Sequence, residues 1–581
     1  MINFFFNIFH QNEKIKIIIL VILMILAMLL EVAGISLIIP AILILLKGTD
    51  ATTEMFFFKF FSDSLIEIND DNILIYGVLF LFFIFLVKYL IIGILYFFQY
   101  NFTAKLMLRI STDILNNYLK KPYIYFLNAS SSRLINNLIK QVEIFVTQGL
   151  EPLITILSET ILLVGIFFVL LYIDYKSVFF FLVVILLPSI FFYFLIKNKV
   201  KVWGNLQQTS DEKVLETLQH TLHGIKEIKI FIREKNFSNL FNAHFRNSVN
   251  MRKNLLLLNQ FPRIWLEIIS IFTICTLVIF YAKFNKSGEE IISMLAIFGV
   301  ASVRLLPSLN RIFLSAQNLR FSFAATKRVY NELNDKEEKI IIKSNLKIKK
   351  NFEIENFEKI EFKNVNFKYN DTSYLKSINL KITKGQFVGI NGDTGSGKST
   401  FIDLICGLLP PDTGKILVNS NIDLNTISKA WKQKIGYVPQ IINLLDDTIE
   451  KNITFEDDES LVKNEWLNKC LHACEILEFV KNLPGGLKTR IGERGIRISG
   501  GQKQRIILAR ALYINPEILI LDESTNALDI KTEQKILKNL LNWEKKITII
   551  MISHKKSSLL NCDVIFNILN HNINEIKIKN L

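Results

Sequence analysis

Six long apolar runs crowd the first 315 or so residues of this chain, at 17–46, 73–98, 150–173, 178–196, 265–281 and 291–306. A helix needs about 20 mostly apolar residues to cross the hydrocarbon of a bilayer, with a range of about 17 to 25. The last two runs are short on their own, but helix-compatible flanks complete them, so the pattern predicts six membrane helices. The run at 17–46 exceeds the bilayer by a few turns and predicts a helix that projects beyond it. It is also far longer than the apolar core of a cleaved signal peptide, about 7 to 15 residues, so no N-terminal targeting segment is expected. Beyond residue 350 the composition changes to that of a soluble α/β protein with Gly-rich turns and balanced charge. A charged, Gly-poor stretch at 334–351 separates the two. The expected division is a membrane domain at 1–335, a linker at 336–351 and a soluble domain at 352–581.

The 51 residues between the second and third runs, and the 68 between the fourth and fifth, are helix-patterned and poor in Gly and Pro. They predict membrane helices that continue into the cytoplasm and turn there, near 122–130 and 211–228. The formal charge of +15 invites a nucleic-acid or anionic-lipid reading. Lys is abundant throughout, however, and the cytoplasmic stretches are barely richer in Lys and Arg than the external ones, so the positive-inside signal is weak. No motif points to nucleic acid. The five cysteines, Cys275, Cys406, Cys470, Cys474 and Cys562, form no paired spacing and are expected to be reduced core thiols. The Phe-rich stretch from Met55 reads as an interfacial segment or as a loop on the helix ends.

The apolar strand candidate at 386–390 leads directly into Gly392-Asp393-Thr394-Gly395-Ser396-Gly397-Lys398-Ser399-Thr400 and then into an apolar helical pattern. This is a P-loop in its proper context. Its glycines let backbone N–H groups wrap phosphates, which also meet the positive end of the following helix. Lys398 is expected to reach the β and γ phosphates and Ser399 to bind Mg²⁺. Downstream, Ile518-Leu519-Ile520-Leu521 runs into Asp522-Glu523, a buried strand ending in two carboxylates. In a Walker B reading Asp522 holds the Mg²⁺ shell, and Glu523 is the general base or water-positioning group for attack on the γ-phosphate.

Between these motifs lies Ile498-Ser499-Gly500-Gly501-Gln502, and with it the sequence resembles the ATP-binding cassette family, whose signature usually begins with Leu. The resemblance implies Tyr369 as the aromatic on adenine and Gln440 as the Q-loop residue that serves both metal and catalysis. It implies 526–529 as the D-loop, with Asn526 in place of a usual Ser, and His554 as the switch histidine at the γ-phosphate. It further implies that the signature Ser499, Gly500, Gly501 and Gln502 complete the ATP site of another cassette. The fold class then expected is an all-α six-helix transmembrane domain fused to an α/β P-loop ABC ATPase domain, one half of a transporter that works as a homodimer. ATP and Mg²⁺ are its expected cofactors.

Ionisable residues inside membrane spans are costly and suggest function. Lys88, Arg304 and Arg311 fall within or beside spans, and Arg263 lies at the inner start of the fifth. One reading joins the four as a basic belt for an anionic head group, because Arg offers phosphate a planar fork. The other has them reach the interface or pair with Glu31, Glu151, Glu159 or Glu267. The stretches 31–40, 262–267 and 304–312 resemble the lipid-linked oligosaccharide flippase of bacterial protein N-glycosylation. That resemblance implies a bacterial inner-membrane protein, a polyprenyl-diphosphate saccharide as cargo, and Lys88, Arg263, Arg304 and Arg311 as its cavity ligands. Export of another lipid, a drug or a peptide is the alternative.

Overall fold

A computed structural model describes residues 8–47, 70–283, 288–334, 356–369, 372–492, 495–525, 527–543 and 546–576. It divides into two compact units, one comprising Met1–Lys121 and Asn128–Asp335, the other Pro122–Leu127 and Lys336–Leu581. The Phe-rich stretch from Met55 and the expected linker lie outside the described residues, as does Asn526.

The first unit is helical: α1 (Gln11–Lys47), α2 (Asp70–Lys120), α3 (Glu151–His223), α4 (Glu234–Lys283) and α5 (Gly288–Phe321). Among the described residues, four segments are long and apolar enough to cross a membrane, Gln11–Gly34, Phe82–Lys120, Ser131–Leu171 and Glu234–Thr276. On α2, Leu95, Phe102, Leu106, Ile110, Ile114 and Tyr118 are buried, the first two seven residues apart and the rest four, and pack with Leu20 and Met24 of α1. Their opposite face, with Phe97, Tyr100, Leu108, Leu115 and Leu119, is exposed. This is the 3.6-residue period at work on the part of the helix that runs beyond its apolar stretch.

α3 is one helical element from Glu151 to His223, across the gap at 174–177 between the third and fourth apolar runs. Yet α3 is no straight rod. The Ser322 hydroxyl donates to the Gln148 carbonyl at 2.8 Å, while the neighbouring Phe321 carbonyl oxygen lies 2.1 Å from where a Cβ on Gly204 would stand. At 1.5 Å per residue a straight helix would hold Gln148 and Gly204 about 84 Å apart. The chain therefore doubles back within α3, which gives the antiparallel pair of runs that the sequence implies.

The first of the two expected turns lies within 122–130, at a short helix Tyr123–Asn128. The second falls at the far end of its expected range. Residues 211–223 remain in α3, where Asp211 is buried between Lys140 (2.8 Å) and the Ser248 hydroxyl (2.5 Å). The helix breaks at Gly224, and the chain passes through a short helix Ile225–Ile230 into α4. Of the cysteines, Cys275 is exposed and the other four are buried, all of them free.

The second unit holds two sheets. β1 (Lys359–Tyr369), β2 (Thr372–Thr383), β4 (Thr413–Val418) and β5 (Ile422–Asp423) form an antiparallel sheet in the order β2-β1-β4-β5. The other has the order β10-β9-β3-β8-β7-β6. It comprises β3 (Phe387–Gly392), β6 (Ile435–Val438), β7 (Ile518–Asp522), β8 (Thr548–Ile552), β9 (Val564–Leu569) and β10 (Asn572–Ile576). All its pairings are parallel except β9 with β10. Such a sheet is covered on both faces, so its strands are unbroken apolar runs. Alternate residues of β7 enter different cores, Leu519 and Leu521 on one face and Ile518 and Ile520 on the other. The register pairs Ile552 with both Ile390 and Asp522, which sets the carboxyl ends of β3, β8 and β7 level.

The close approach at Gly204 gives a test of α3 packing. Gly204→Ala is expected to lower the thermal unfolding midpoint of the detergent-solubilised protein by several degrees, as overpacking costs about 1–3 kcal/mol. Gly93→Ala, whose Cβ would meet nothing within 4 Å, serves as the control and leaves the midpoint in place.

Candidate nucleotide site

Gly392 ends β3 with φ +150°, and a Cβ there would stand 2.7 Å from the Ile568 carbonyl oxygen, so only glycine fits. The loop that follows closes on α6 (Lys398–Ile405), whose first turn opens at Gly397 in the left-handed region. Lys398 is nearly buried, and its ammonium donates to the carbonyls of Gly392 (2.7 Å) and Asp393 (3.1 Å). The Lys398 Nζ thus sits in the concavity of the loop, with the His554 Nε2 at 3.4 Å.

β8 lies between β3 and β7, so the segment after it reaches both neighbours. His554 Nε2 is 3.3 Å from Glu523 Oε1, while Gln440, just beyond β6, donates its amide to Glu523 Oε2 at 2.9 Å. Glu523 itself adopts φ +48°, a left-handed conformation uncommon outside glycine and typical of functional sites. The four residues expected to be catalytic, Lys398, Gln440, Glu523 and His554, thus form one connected group.

Asp522 lies beside them, buried, with its carboxylate raised above the usual range by burial and held against that by the Tyr437 hydroxyl at 3.2 Å. Burial also raises Tyr437 itself, followed by the Asp522 charge. The Ser396 hydroxyl is buried in the loop with no hydrogen-bond partner, as suits a group awaiting a phosphate oxygen. Ser399, Gln440 and Asp522 offer hydroxyl, amide and carboxylate oxygens, a hard donor set that fits Mg²⁺. Thr394, Gly395 and Thr400 complete the loop as expected. Tyr369 closes β1 edge-on to Phe367 at 4.9 Å and packs on the core that carries β3.

Ser499 caps α7 (Gly500–Tyr513) in a reciprocal capping box: its hydroxyl accepts from the Gln502 N–H, and the Gln502 side chain accepts from the Ser499 N–H at 2.8 Å. Gly500 and Gly501 let α7 approach the D-loop, since a Cβ on Gly501 would lie 3.1 Å from the Ala527 carbonyl oxygen. Among the described residues, no hydrogen bond joins Ser499, Gly500, Gly501 or Gln502 to the P-loop of the same chain.

Three of the four candidate cavity charges are paired. Lys88 and Glu31, 3% and 4% exposed, meet at 3.0 Å, with the rings of Phe85 and Tyr89 against the ammonium. Arg311 forks onto Glu159 at 2.6 and 3.1 Å, and Arg263 meets Glu267 at 3.0 Å. The side chain of Arg304 lies outside the described residues. Among the described side chains the belt is thus not a free one, and Lys88 in particular is enclosed by the protein and paired with Glu31, as in the alternative reading.

Sequence reading missed Asp403 on α6, whose carboxyl is pushed up to about 6 by burial and then by Asp522. It faces Tyr123, whose hydroxyl is raised in turn by burial and by Asp403. It also missed Tyr437. Neither belongs to a motif, and only the fold brings them to Asp522.

Comparison with known proteins fits this geometry. The family profile for the ABC transporter transmembrane region matches residues 17–303, and that for the ABC transporter matches 375–526. The chain belongs to the ABC transporters, as a half-transporter with one membrane region and one ATPase domain that binds ATP. A bacterial Atm1-family ABC exporter with ATP bound shares the fold, with a TM-score of 0.77 at 19% identity over 97% of this chain and 95% of that one. The ATP-dependent lipid A-core flippase of Wigglesworthia glossinidia brevipalpis is 28% identical over 80% of this chain and 78% of its own length. A protein of Rickettsia typhi, provisionally named an export ATP-binding/permease protein, is 45% identical over 36% of each chain. A related protein of Rickettsia felis is 33% identical over 63% of each. The match thus spans about a third to two thirds of the length of these Rickettsia relatives.

Asp403 makes the site pH-sensitive. Its folded pKa of about 6 stands above the ordinary 3.8, so the folded state takes up a proton in that window and stability falls as pH rises through it. Above about pH 6 the buried negative charge is present in full, and Asn removes it. Without nucleotide, Asp403→Asn is expected to raise the unfolding midpoint by about 2–4 °C at pH 8, allowing for partial solvent screening. The gain should vanish as pH approaches 4; a gain equal at both pH values would contradict the assignment.

Proposed function

We propose that two copies of this chain form a homodimeric transporter that spans a bacterial inner membrane with six helices per copy and hydrolyses ATP to drive cargo outward. The observation that carries the reading is the connected group of Lys398, Gln440, Glu523 and His554 beside a signature that finds no partner in its own P-loop. A symmetric pair, each signature serving the other copy's P-loop, completes both sites with the same surface.

In this reading Lys398 releases its carbonyl contacts to hold the β and γ phosphates. Glu523 orients the attacking water and accepts its proton, while Gln440 and His554 keep the carboxylate aimed at it. Ser399, Gln440 and Asp522 would hold Mg²⁺, which would supply neutralisation of charge on the phosphates. The cytoplasmic turns at 123–128 and 225–230 serve as the couplers between hydrolysis and the membrane helices.

For the cargo we favour an amphiphile with an anionic head, a polyprenyl-diphosphate saccharide among them. Support comes from the flippase relative and from Arg311, whose side chain is 39% exposed at its pair with Glu159. A phosphate can compete there for the guanidinium fork. Lys88 drops out of this role, and Arg263, at 68% side-chain exposure, stays in it.

Two outcomes are expected. Glu523→Gln, in liposomes, loses hydrolysis by about 10²-fold or more while ATP still binds; full hydrolysis in the variant would remove Glu523 from the chemistry. In the doubly neutral Arg311→Gln/Glu159→Gln protein, the ratio of cargo-stimulated to basal ATPase falls several-fold with polyprenyl-diphosphate saccharide as probe. An unchanged ratio would take Arg311 out of cargo recognition.

A further inference from the structure

Glu533, on α8 (Ile530–Leu541), is a carboxylate only 4% exposed, a costly placement unless fully paired. Its two oxygens are divided between two partners that follow the switch histidine. Oε2 accepts from the Lys555 ammonium at 3.1 Å, and Oε1 accepts from the Ser558 hydroxyl at 2.7 Å. Lys555 then donates a second bond, at 3.2 Å, to the carbonyl of Thr525.

These bonds touch both sides of the catalytic carboxylate. Thr525 is two residues after Glu523, and Lys555 is bonded to His554, whose ring stands 3.3 Å from Glu523 Oε1. The same D-loop is held from the other side, where the Ala527 N–H donates to the side chain of Gln504 on α7 at 3.1 Å. The Asp529 carboxylate caps α8 by accepting from the Thr532 N–H, which fixes the first turn that carries Glu533. Among the described residues, the Lys555 ammonium is the side-chain donor that reaches both the Thr525 carbonyl after β7 and Glu533, and it so ties the D-loop to the segment after β8.

We infer that Lys555, anchored by Glu533, is a positioning residue for ATP hydrolysis: it locks the D-loop to the switch segment so that Glu523 and His554 keep the separation the attack requires. The inference rests on the hydrolysis reading above and deepens it. Neither residue touches the nucleotide in this account, so its loss affects the chemical step and spares binding. Small misplacements of reacting groups are costly: about 1 Å can cost about 10²-fold in rate.

The test is steady-state ATPase of the full chain in liposomes, with ATP affinity and thermal unfolding measured on the same preparations. Lys555→Met keeps the stem and removes the charge. It should lower kcat about tenfold with KM for ATP and ATP affinity within about twofold of wild type, since the lost interaction acts in the transition state. Lys555→Arg, which can still bridge Glu533 and Thr525, should recover most of the rate. Should Lys555→Met not fold, Ser558→Ala, which frees one oxygen of Glu533, is read in the same way with a smaller loss. Wild-type kcat in a folded Lys555→Met protein would overturn the inference. So would a fall in kcat matched by weakened ATP binding, or one that Arg does not restore, because both are marks of a structural role. If wild type itself hydrolyses no ATP, it is the hydrolysis reading that fails.

Discussion

In the middle of the parallel sheet, β8 carries no residue of the P-loop or of the paired carboxylates, yet the site depends on it. It separates β3 from β7 by one strand and holds their ends level through the pairing of Ile552 with Ile390 and Asp522. A segment leaving β8 then reaches both neighbours, and the His554 ring stands within 3.4 Å of the Lys398 ammonium and of a Glu523 oxygen. Open α/β sheets place their ligands at the carboxyl ends of the strands, where the order of the chain reverses. Here the consequence is that an ammonium, an imidazole ring and a carboxylate, each from the end of a different strand, share one small volume. The same placement explains the raised Asp522 carboxyl: burial at the strand end raises it first, with the adjacent Glu523 charge adding to this, while the Tyr437 hydroxyl and then Lys398 act against it.

The membrane unit obeys the opposite solvent rule. Where water is absent, a charge needs a partner, and breaking a buried pair costs about 3–5 kcal/mol. Lys88 with Glu31 joins α1 to α2, and Arg311 with Glu159 joins α3 to α5. The two pairs differ in what they permit. The first is sealed and reads as a structural clamp between helices; the second keeps part of its guanidinium exposed and remains open to exchange.

Much of this was legible in the sequence. Gly392 to Thr400 could be read because a P-loop is local: strand, loop and helix are contiguous, and the glycines answer to backbone geometry. Asp522 and Glu523 were legible for the same reason, as acids at the end of an unbroken apolar strand. The pairing of Lys88 was not decided, since charge alone shows that a partner is needed and several glutamates could serve. The role of Lys555 was invisible, because its partner lies 22 residues away on another element and neither type is unusual. The second turn is confined to the end of its expected range: 211–223 is polar yet stays helical, held by contacts of Asp211, Glu212 and Gln219 with other elements. The break comes at Gly224, the one glycine of 211–228.

The account turns on each ATP site being shared between two copies. Copies carrying Lys398→Ala and copies carrying Ser499→Arg, each inactive alone, can be co-assembled and their ATPase measured in liposomes. If signature and P-loop act across copies, the mixed dimer holds one site with both parts intact, and the mixture recovers activity that neither variant shows alone. If instead each chain builds its site from its own P-loop and signature, every site in the mixture carries one defect. A mixture of verified heterodimers as inactive as its parents would contradict the account.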